Sequence, residues 1–421
     1  SDWKMIGVVL LLTLITGLFS GSYPAFYLSH FRPSDVLKSQ AALSDQNLLI
    51  RKVLVGLQFT ISIFMVIATF VIMQQLSYMR NKDLGYTTKD MMVLNVSDVP
   101  QERRVSLQRA VEQLAEVEKA SLAFSIPGPG SILPNWGLSV ETHDGFMERM
   151  LPLYMVDAHF RDVYDIEMTL GRFFDPDHPT DLVDAVVVNE AAVRLFGWED
   201  PIGMRLSRVG RNEYKRVVGV VSNFHVSSLE SDIVPLVMLG EGEGAFLHIK
   251  LSPGPVRERV SAVQDVWQEI AGLLPIRYEF LEDRHQMAYL SEENQGRLFG
   301  LFALFCIFLS LMGLFGLSGF SAEQKTKEIG IRVVHGASLM NILELLYKDY
   351  AKLMLLAIVI ASGVAIYFLE NWLAQFAFRI DMGILPFVTA ALLAITVSLA
   401  TVGYHAWRTL HQNPVEALRH E

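Results

Sequence analysis

Tyr23-Pro24-Ala25-Phe26-Tyr27-Leu28-Ser29-His30-Phe31-Arg32-Pro33-Ser34-Asp35-Val36-Leu37-Lys38 follows the first apolar stretch, and Tyr404-His405-Ala406-Trp407-Arg408-Thr409-Leu410-His411-Gln412-Asn413-Pro414-Val415-Glu416-Ala417-Leu418-Arg419 follows the last. Eight of the sixteen positions agree in residue or residue type: Tyr23, Ala25, Phe26, His30, Pro33, Asp35, Leu37 and Lys38 match Tyr404, Ala406, Trp407, His411, Pro414, Glu416, Leu418 and Arg419. Each copy stands on the exit side of an apolar run, which marks an internal repeat. The repeat predicts that the chain opens with the last helix of one membrane module and continues through a complete second one. The opening Ser1-Asp2-Trp3, without an initiator methionine, fits the back part of a longer duplicated protein.

Working outward from the repeat, five stretches lack Asp, Glu, Lys and Arg over a membrane-crossing length: Met5–Phe31, Val53–Met79, Leu298–Ala322, Leu353–Leu369 and Met382–Trp407. A helix needs about 20 apolar residues to cross a bilayer core. The shortest run, Leu353–Leu369, is completed by Asn371 and Trp372 at the interface. Mean hydropathy is +0.32, and 51% of residues are hydrophobic. The first run is longer than a signal-peptide core, has only Lys4 before it and lacks a small-residue cleavage site, so it reads as a span. Residues 29–52, 323–352 and 408–421 together hold 11 basic and 8 acidic residues, whereas residues 80–297 hold 22 and 34. By the distribution of Lys and Arg, the short basic segments lie in the cytoplasm and residues 80–297 are extracytoplasmic. A net charge of −10, concentrated outside, excludes nucleic acid as a partner. The one cysteine, Cys306, lies in a span, so neither a disulfide nor a cysteine metal cluster supports the outer domain.

The expected organisation is a transmembrane helix at 1–31 from a preceding repeat, a cytoplasmic linker at 32–52, and a span with stalk at 53–79. Then come the outer domain at 80–297, a span at 298–322, a cytoplasmic region at 323–350, a membrane hairpin at 351–407 and a tail at 408–421. Within the outer domain, Met91–Val96 and Ala120–Ser125 read as strands around an amphipathic helix, Gln101–Val117. Ala245–Leu251 and Arg277–Leu281 read as strands around a helix at Pro255–Leu273. Two β-α-β units thus flank a strand-rich, Pro- and Gly-containing insert at about 127–240, and the first and last pieces are expected to pair. Leu76–Leu84 and Gln286–Leu298 are expected to continue their spans outward as helical stalks, since no Pro interrupts them. The fold class is a polytopic α-helical membrane protein with an inserted α+β extracytoplasmic domain.

Between the third and fourth spans stands Lys327-Glu328-Ile329-Gly330-Ile331-Arg332-Val333-Val334-His335-Gly336-Ala337-Ser338. Glu328, Ile329, Arg332 and Val333 fall on one side of a short helix that Gly336 is placed to end, with Ser338 placed to cap the next. This segment resembles the K-E-I-G-I-R-x-x-x-G-A-S signature of FtsX/MacB-type ABC transporter permeases. Gly313-Leu314-Phe315-Gly316-Leu317, Trp372-Leu373, Phe376-Ala377-Phe378-Arg379 and Asn413-Pro414-Val415-Glu416-Ala417-Leu418-Arg419 agree with it. Gly171-Arg172-Phe173-Phe174, Val188-Asn189-Glu190, Pro201-Ile202-Gly203 and Val218-Gly219-Val220-Val221-Ser222-Asn223-Phe224-His225 resemble the MacB-type periplasmic core domain. The resemblance covers nearly the whole chain. The chain departs from the family at Val333 and His335, where a basic and a large aliphatic residue are frequent.

The resemblance implies a permease subunit of an ATP-driven complex in the bacterial inner membrane, with many members built as tandem duplications. It implies that Lys327, Glu328, Ile329, Gly330, Arg332 and Gly336 couple to an ABC ATPase subunit, present in two copies, which holds the ATP and Mg while this chain holds no cofactor. It further implies contact with membrane lipid and with a periplasmic or outer-membrane partner. Movement of the ATPases would pass through the coupling helix and stalks to the outer domain in export, efflux or lipoprotein handling. The alternative is a regulatory or signalling membrane subunit that controls a periplasmic hydrolase or sensor without moving a substrate. No phosphate-cradling G-x-x-x-x-G-K-[ST] occurs in the sequence, so ATP hydrolysis is expected in a separate subunit.

Three weaker signals read as structure. Gly316-Leu317-Ser318-Gly319 spells the nucleophile motif of an intramembrane serine protease, but only His405 is available as a base, and small residues in a span serve close helix packing. Asp175, Asp177, His178, Asp181 and Asp184 cluster in a loop without the spacing of a calcium site, which leaves a solvated turn. Arg379 and Asp381 read as interface anchors.

Overall fold

The computed structural model describes residues 3, 7–8, 10–11, 13–18, 40–178, 180–211, 213–229, 231–240 and 244–411. The first copy of the repeat and residues 412–421 of the second lie outside the described residues, as does most of the expected Met5–Phe31 span. The described part of that span is helical. The linker expected at 32–52 is helical from Gln40, in a single helix Gln40–Arg80. Among the described residues, four helices are long and apolar enough to cross a membrane: Arg51–Arg80, Glu292–Gln324, Tyr350–Leu373 and Leu385–Leu410. The chain divides into two compact units, one of residues 1–65, 302–363 and 387–421, the other of 66–301 and 364–386.

In the first unit, helices meet through small residues and paired hydroxyls, the arrangement that lets backbones approach closely in lipid. The Ser62 and Ser310 hydroxyls lie 3.0 Å apart, the Tyr350 hydroxyl is 2.8 Å from that of Ser321 and donates to the Leu317 carbonyl at 3.1 Å, and Tyr347 meets Ser398 at 2.9 Å. Phe302, Leu304, Phe305, Phe308 and Met312 stand exposed along the third-span helix, as expected of a helix in contact with hydrocarbon.

The second unit contains the outer domain. Its first piece gives β1 (Met91–Asn95) and β2 (Val117–Ala123). The middle gives β3 (Asn135–Thr142), β4 (Gly145–Met155), β5 (Met168–Gly171), β6 (Ala185–Asn189), β7 (Arg205–Arg208), β8 (Tyr214–Val221) and β9 (Val237–Leu239). The last piece gives β10 (Phe246–Leu251) and β11 (Tyr278–Phe280). The outer strands interleave in the order β11-β1-β10-β2, with every neighbouring pair antiparallel. This is a split β-α-β arrangement, so the expected pairing of first and last pieces holds. Helices Gln101–Glu112 and Val256–Ala271 cover one face, burying Met92, Leu94, Leu107, Val111, Val263 and Trp267. The other face buries Met91 and Val93 with Tyr154, Phe160, Tyr164 and Phe224. Burial on both faces explains why β1 is apolar from Met91 to Leu94. The middle strands form a ring, β8-β6-β9-β4-β3-β7, closed by a second pairing of β7 to β8, with β5 on the outside of β8.

Three boundaries differ from the sequence expectation. The first helix of the domain stops at Glu112, and Val117 begins β2 rather than ending the helix. The first stalk stops at Arg80 instead of Leu84: the Asn81 amide donates to the Ser77 carbonyl, and Asp83 accepts from the Gly85 amide to close a turn. Gly85 takes φ +77°, and a Cβ there would come within 2.6 Å of the Asn223 carbonyl, so only glycine fits this turn. The second stalk breaks at Tyr289, between helices Leu281–Ala288 and Leu290–Gln324. The Tyr289 ring is held among Met79, Leu229 and Phe376, which fixes the bend. Arg80 and Glu293, 2.6 Å apart, tie the two stalks together.

His248 is fully buried, with its Nδ1 2.6 Å from the Tyr164 hydroxyl. Burial pushes its pKa down to about 3, and burial with the nearby Arg284 pushes His285 down to about 4. Both are neutral in the folded domain, whereas in the unfolded chain they titrate near 6.5. Their stabilisation is therefore complete above pH 6.5 and is lost as the pH falls towards 4 and 3. At pH 4 the His248 contribution alone is a loss of roughly a few kcal/mol. The melting temperature of the outer domain, followed by near-ultraviolet circular dichroism, is expected to fall between pH 7 and 4. His248→Gln should flatten that slope; an unchanged slope would show that His248 is not its source.

Candidate functional site

The cytoplasmic helix spans Thr326–Val334. Glu328 and Arg332 form an i,i+4 ion pair at 2.8 Å, each about half-exposed. Ile329 and Gly330 face inward, Ile329 with 1% exposure. The side chain of Lys327 lies outside the described residues. Gly336 takes φ +85°, its amide donates to the Val333 carbonyl, and the Ala337 amide donates to the Arg332 carbonyl. These two bonds are a Schellman motif, whose left-handed residue is glycine for steric reasons. The Ser338 carbonyl accepts the first bonds of the next helix, but its hydroxyl donates to the Asn341 side chain instead of capping a backbone amide. The helix thus splits the residues read from sequence: Ile329 and Gly330 are seated in the protein, and Glu328 and Arg332 are displayed. Ile331 and Val334, 48% and 65% exposed, stand on the displayed side with Met340 at 69%. The sequence reading missed these three. Their signal was an apolar i, i+3 pair on a helix whose inward face was already supplied.

At the other end of the membrane hairpin, the segment 374–384 folds onto the base of the outer domain. Gln75, wholly buried, donates from Nε2 to the Phe378 carbonyl at 2.9 Å and accepts the Ile380 amide at Oε1, also at 2.9 Å. Its amide pairs with the hairpin backbone as a neighbouring strand would. The Phe378 ring meets His225 edge-on at 4.7 Å, and the Lys82 ammonium lies 5.2 Å from the same ring. Phe376, Met79, Leu229 and Tyr289 form a buried cluster beneath, with Trp372 against it. Burial, reinforced by the Lys82 charge, pushes the pKa of His225 down, so it packs as a neutral ring. His225 and Phe378 belong to two motifs noted above, Val218–His225 and Phe376–Arg379. Sequence gave neither a role, and gave none to Gln75.

Ser318 donates to the Phe315 carbonyl at 3.2 Å, while His405 packs on the Phe315 ring and against Gly319. These partners give the serine no base. In the acidic loop Asp181 pairs with Arg172 and His178 with Asp175 at 2.7 Å. Among the described residues no group of His, Cys, Asp and Glu is arranged to hold a metal.

Among the described residues, four span-length helices, a domain inserted between the first and second, and a short amphipathic helix between the second and third define a polytopic membrane protein with an inserted domain. Comparison with known proteins gives the particular family. Residues 57–263 match the MacB-like periplasmic core domain, and residues 300–414 match the FtsX-like permease C-terminal region. The chain is 25% identical over 227 residues to the macrolide export ATP-binding/permease protein MacB of Wolinella succinogenes, a match covering 50% of this chain and 35% of that protein. It therefore spans about a third of the length of that relative. Among solved structures, the periplasmic region of MacB from Actinobacillus actinomycetemcomitans matches with 15% identity and a TM-score of 0.36, over 48% of this chain and 94% of that one. The extracellular domain of the noncanonic ABC-type transporter YknZ from Gram-positive bacteria matches with 12% identity and a TM-score of 0.29, over 49% and 92%. The chain is a MacB/FtsX-like permease of the ABC-transporter type.

It is a multi-pass protein of the bacterial inner membrane, with residues 80–297 extracytoplasmic. In a Cys306→Ser background, a membrane-impermeant maleimide added to intact spheroplasts should label Ser231→Cys and spare Ser338→Cys until the cells are opened. The reverse pattern would invert the topology.

Proposed function

We propose that this permease transmits movement from a cytoplasmic ABC ATPase to its outer domain. The single observation that supports this best is the Gln75 clamp, in which the outer hairpin is hydrogen-bonded to the first stalk and packed on His225 of the outer domain. The hairpin is the covalent link between the helices ending at Leu373 and starting at Leu385. A displacement of those helices therefore reaches the outer domain through packed groups rather than through a flexible loop. At the cytoplasmic end, Glu328, Arg332, Ile331 and Val334 offer a mixed charged and apolar face to the ATPase, while Ile329, Gly330 and Gly336 set the helix in place and Lys327 adds charge beside it. ATP and Mg belong to the ATPase, bound in two copies, and this chain contributes no cofactor. Lipid surrounds the spans, and a periplasmic partner receives the movement in export, efflux or lipoprotein handling.

Hydrogen exchange on the natural complex in nanodiscs, with and without vanadate trapping of the ATPase, tests this reading. Trapping should alter amide protection in 374–384 and 223–229 as well as in 326–340. Changes confined to the cytoplasmic segment would remove the transmission role.

A further inference from the structure

The ring of middle strands is filled at one end and open at the other. Along β3, Trp136 stands at the start and Glu141 near the end. The Glu141 carbonyl accepts the Trp198 indole N–H at 2.7 Å, and Phe196 packs on Trp198, so these two aromatics close that end. At the Trp136 end a cavity of about 630 Å³ remains, floored by Leu138, Leu153, Leu206 and Val237. Small β-barrels ordinarily fill their interior with side chains, and an unfilled apolar floor forfeits contacts with every atom that faces it. Water gains little there, because it needs two to four polar partners and the floor offers none. The size is that of a small-molecule site, with an apolar floor and polar residues, Ser207 and Tyr214 among them, making up the rest of the lining.

The mouth specifies the head group. The Arg208 guanidinium lies 4.1 Å from the Trp136 ring centroid, a cation–π contact that restrains it at the mouth. Among the described residues Arg208 has no carboxylate partner. Arg211 lies beside it on the rim, and Lys215 donates to the Val183 carbonyl at 2.6 Å. Asp184 and Glu213 share the same rim, so it suits one acidic group and repels a polyanion. We propose that this barrel mouth binds a single-chain amphipath with an acidic head, the head on Arg208 in the two-pronged manner guanidinium favours and the alkyl chain over Leu138, Leu153, Leu206 and Val237. The site lies wholly within the outer domain and stands independently of the transmission reading.

The test uses the full chain in nanodiscs and dodecanoic acid carrying a photoreactive diazirine at its chain end. After irradiation and digestion, adducts should concentrate on the β3, β7 and β9 peptides. Unlabelled dodecanoate should compete for them, while dodecanol and dodecyltrimethylammonium at the same concentration should not. Dodecyl phosphate distinguishes the head groups: equal competition means any acidic head is taken, and weaker competition means carboxylate is preferred; both support the site. Arg208→Ala should lower capture at these peptides at least tenfold, and Arg208→Lys less. Leu206→Phe, which fills the floor with Arg208 intact, should lower it as well, with circular dichroism confirming the fold of each variant. Adducts confined to the spans, equal competition by dodecanol, or capture unchanged in Arg208→Ala would each overturn the proposal.

Discussion

Charge reversal at Glu328 or Arg332 is expected to abolish stimulation of the partner ATPase, a loss of tenfold or more, while membrane insertion and the outer-domain fold stay intact. The ion pair between them is half-exposed, and an exposed i,i+4 pair stabilises a helix by only about 0.3–0.5 kcal/mol. Helix stability therefore cannot account for a large effect, but loss of charged contacts to a partner can. The exchange Glu328→Arg with Arg332→Glu separates the two roles. It restores the intrahelical pair with its polarity reversed and presents the wrong charges outward. If the residues serve only the helix, the double variant should behave nearly as wild type. If they face the ATPase, it should be as inactive as the single variants. Normal stimulation in both single variants would remove the coupling assignment altogether.

The second large effect is expected at Gln75→Met, a change of shape small enough to keep the packing. It leaves the part-buried Phe378 carbonyl and Ile380 amide without the partner that the fully buried Gln75 supplies. A fully buried unsatisfied group costs about 1–3 kcal/mol, and two part-buried ones together are expected to loosen the hairpin. Arg379, on the exposed side of the same hairpin, then becomes a sensitive reporter. Trypsin cleavage after Arg379 in nanodiscs should accelerate at least tenfold, the equivalent of about 1.4 kcal/mol in the opening equilibrium. Gln75→Asn, with the same amide on a shorter arm, should fall between. Cleavage as slow as in wild type would mean that the clamp contributes nothing to holding the hairpin.

The contrast between these two sites shows what a sequence makes legible. Glu328, Ile329, Arg332 and Gly336 lie within nine residues of one another, and helical periodicity with a terminating glycine is a local pattern that can be read directly. The last four of the five expected spans and the β-α-β units were legible for the same reason: runs free of charge, and alternation within single segments such as Ala245–Leu251. Gln75 lies 303 and 305 positions from its partners, and in sequence it is simply a polar residue near the end of an apolar helix. The stalk boundaries failed for a related reason: Tyr289 bends its helix through contacts with Met79, Leu229 and Phe376, and the turn after Asn81 rests on Gly85 fitting against the distant Asn223 carbonyl. Val117 continues the helical period of Leu114 and Val111, yet it starts β2, since pairing with Leu251 outweighs a local preference. Closure of the ring depends on β7, which meets β8 across a short local connection, also reaching β3 far back in the chain, and that second pairing has no local trace.

The order β11-β1-β10-β2 has a mechanical meaning. β1 leaves the first stalk and β11 enters the second, and they lie side by side, with Met92 opposite Phe280. Their stalk-attached ends are therefore at the same end of the pair. When both stalks are pushed or pulled together, the load runs along the two strands in parallel and no hydrogen bond between them is loaded. When the stalks are splayed, the force falls on the pair one rung at a time, as on a zipper, and β11 has only three residues to resist it. The β1–β11 pair is thus stiff along its axis and weak against prising. The Arg80–Glu293 bridge stands where a restraint against splaying would be placed.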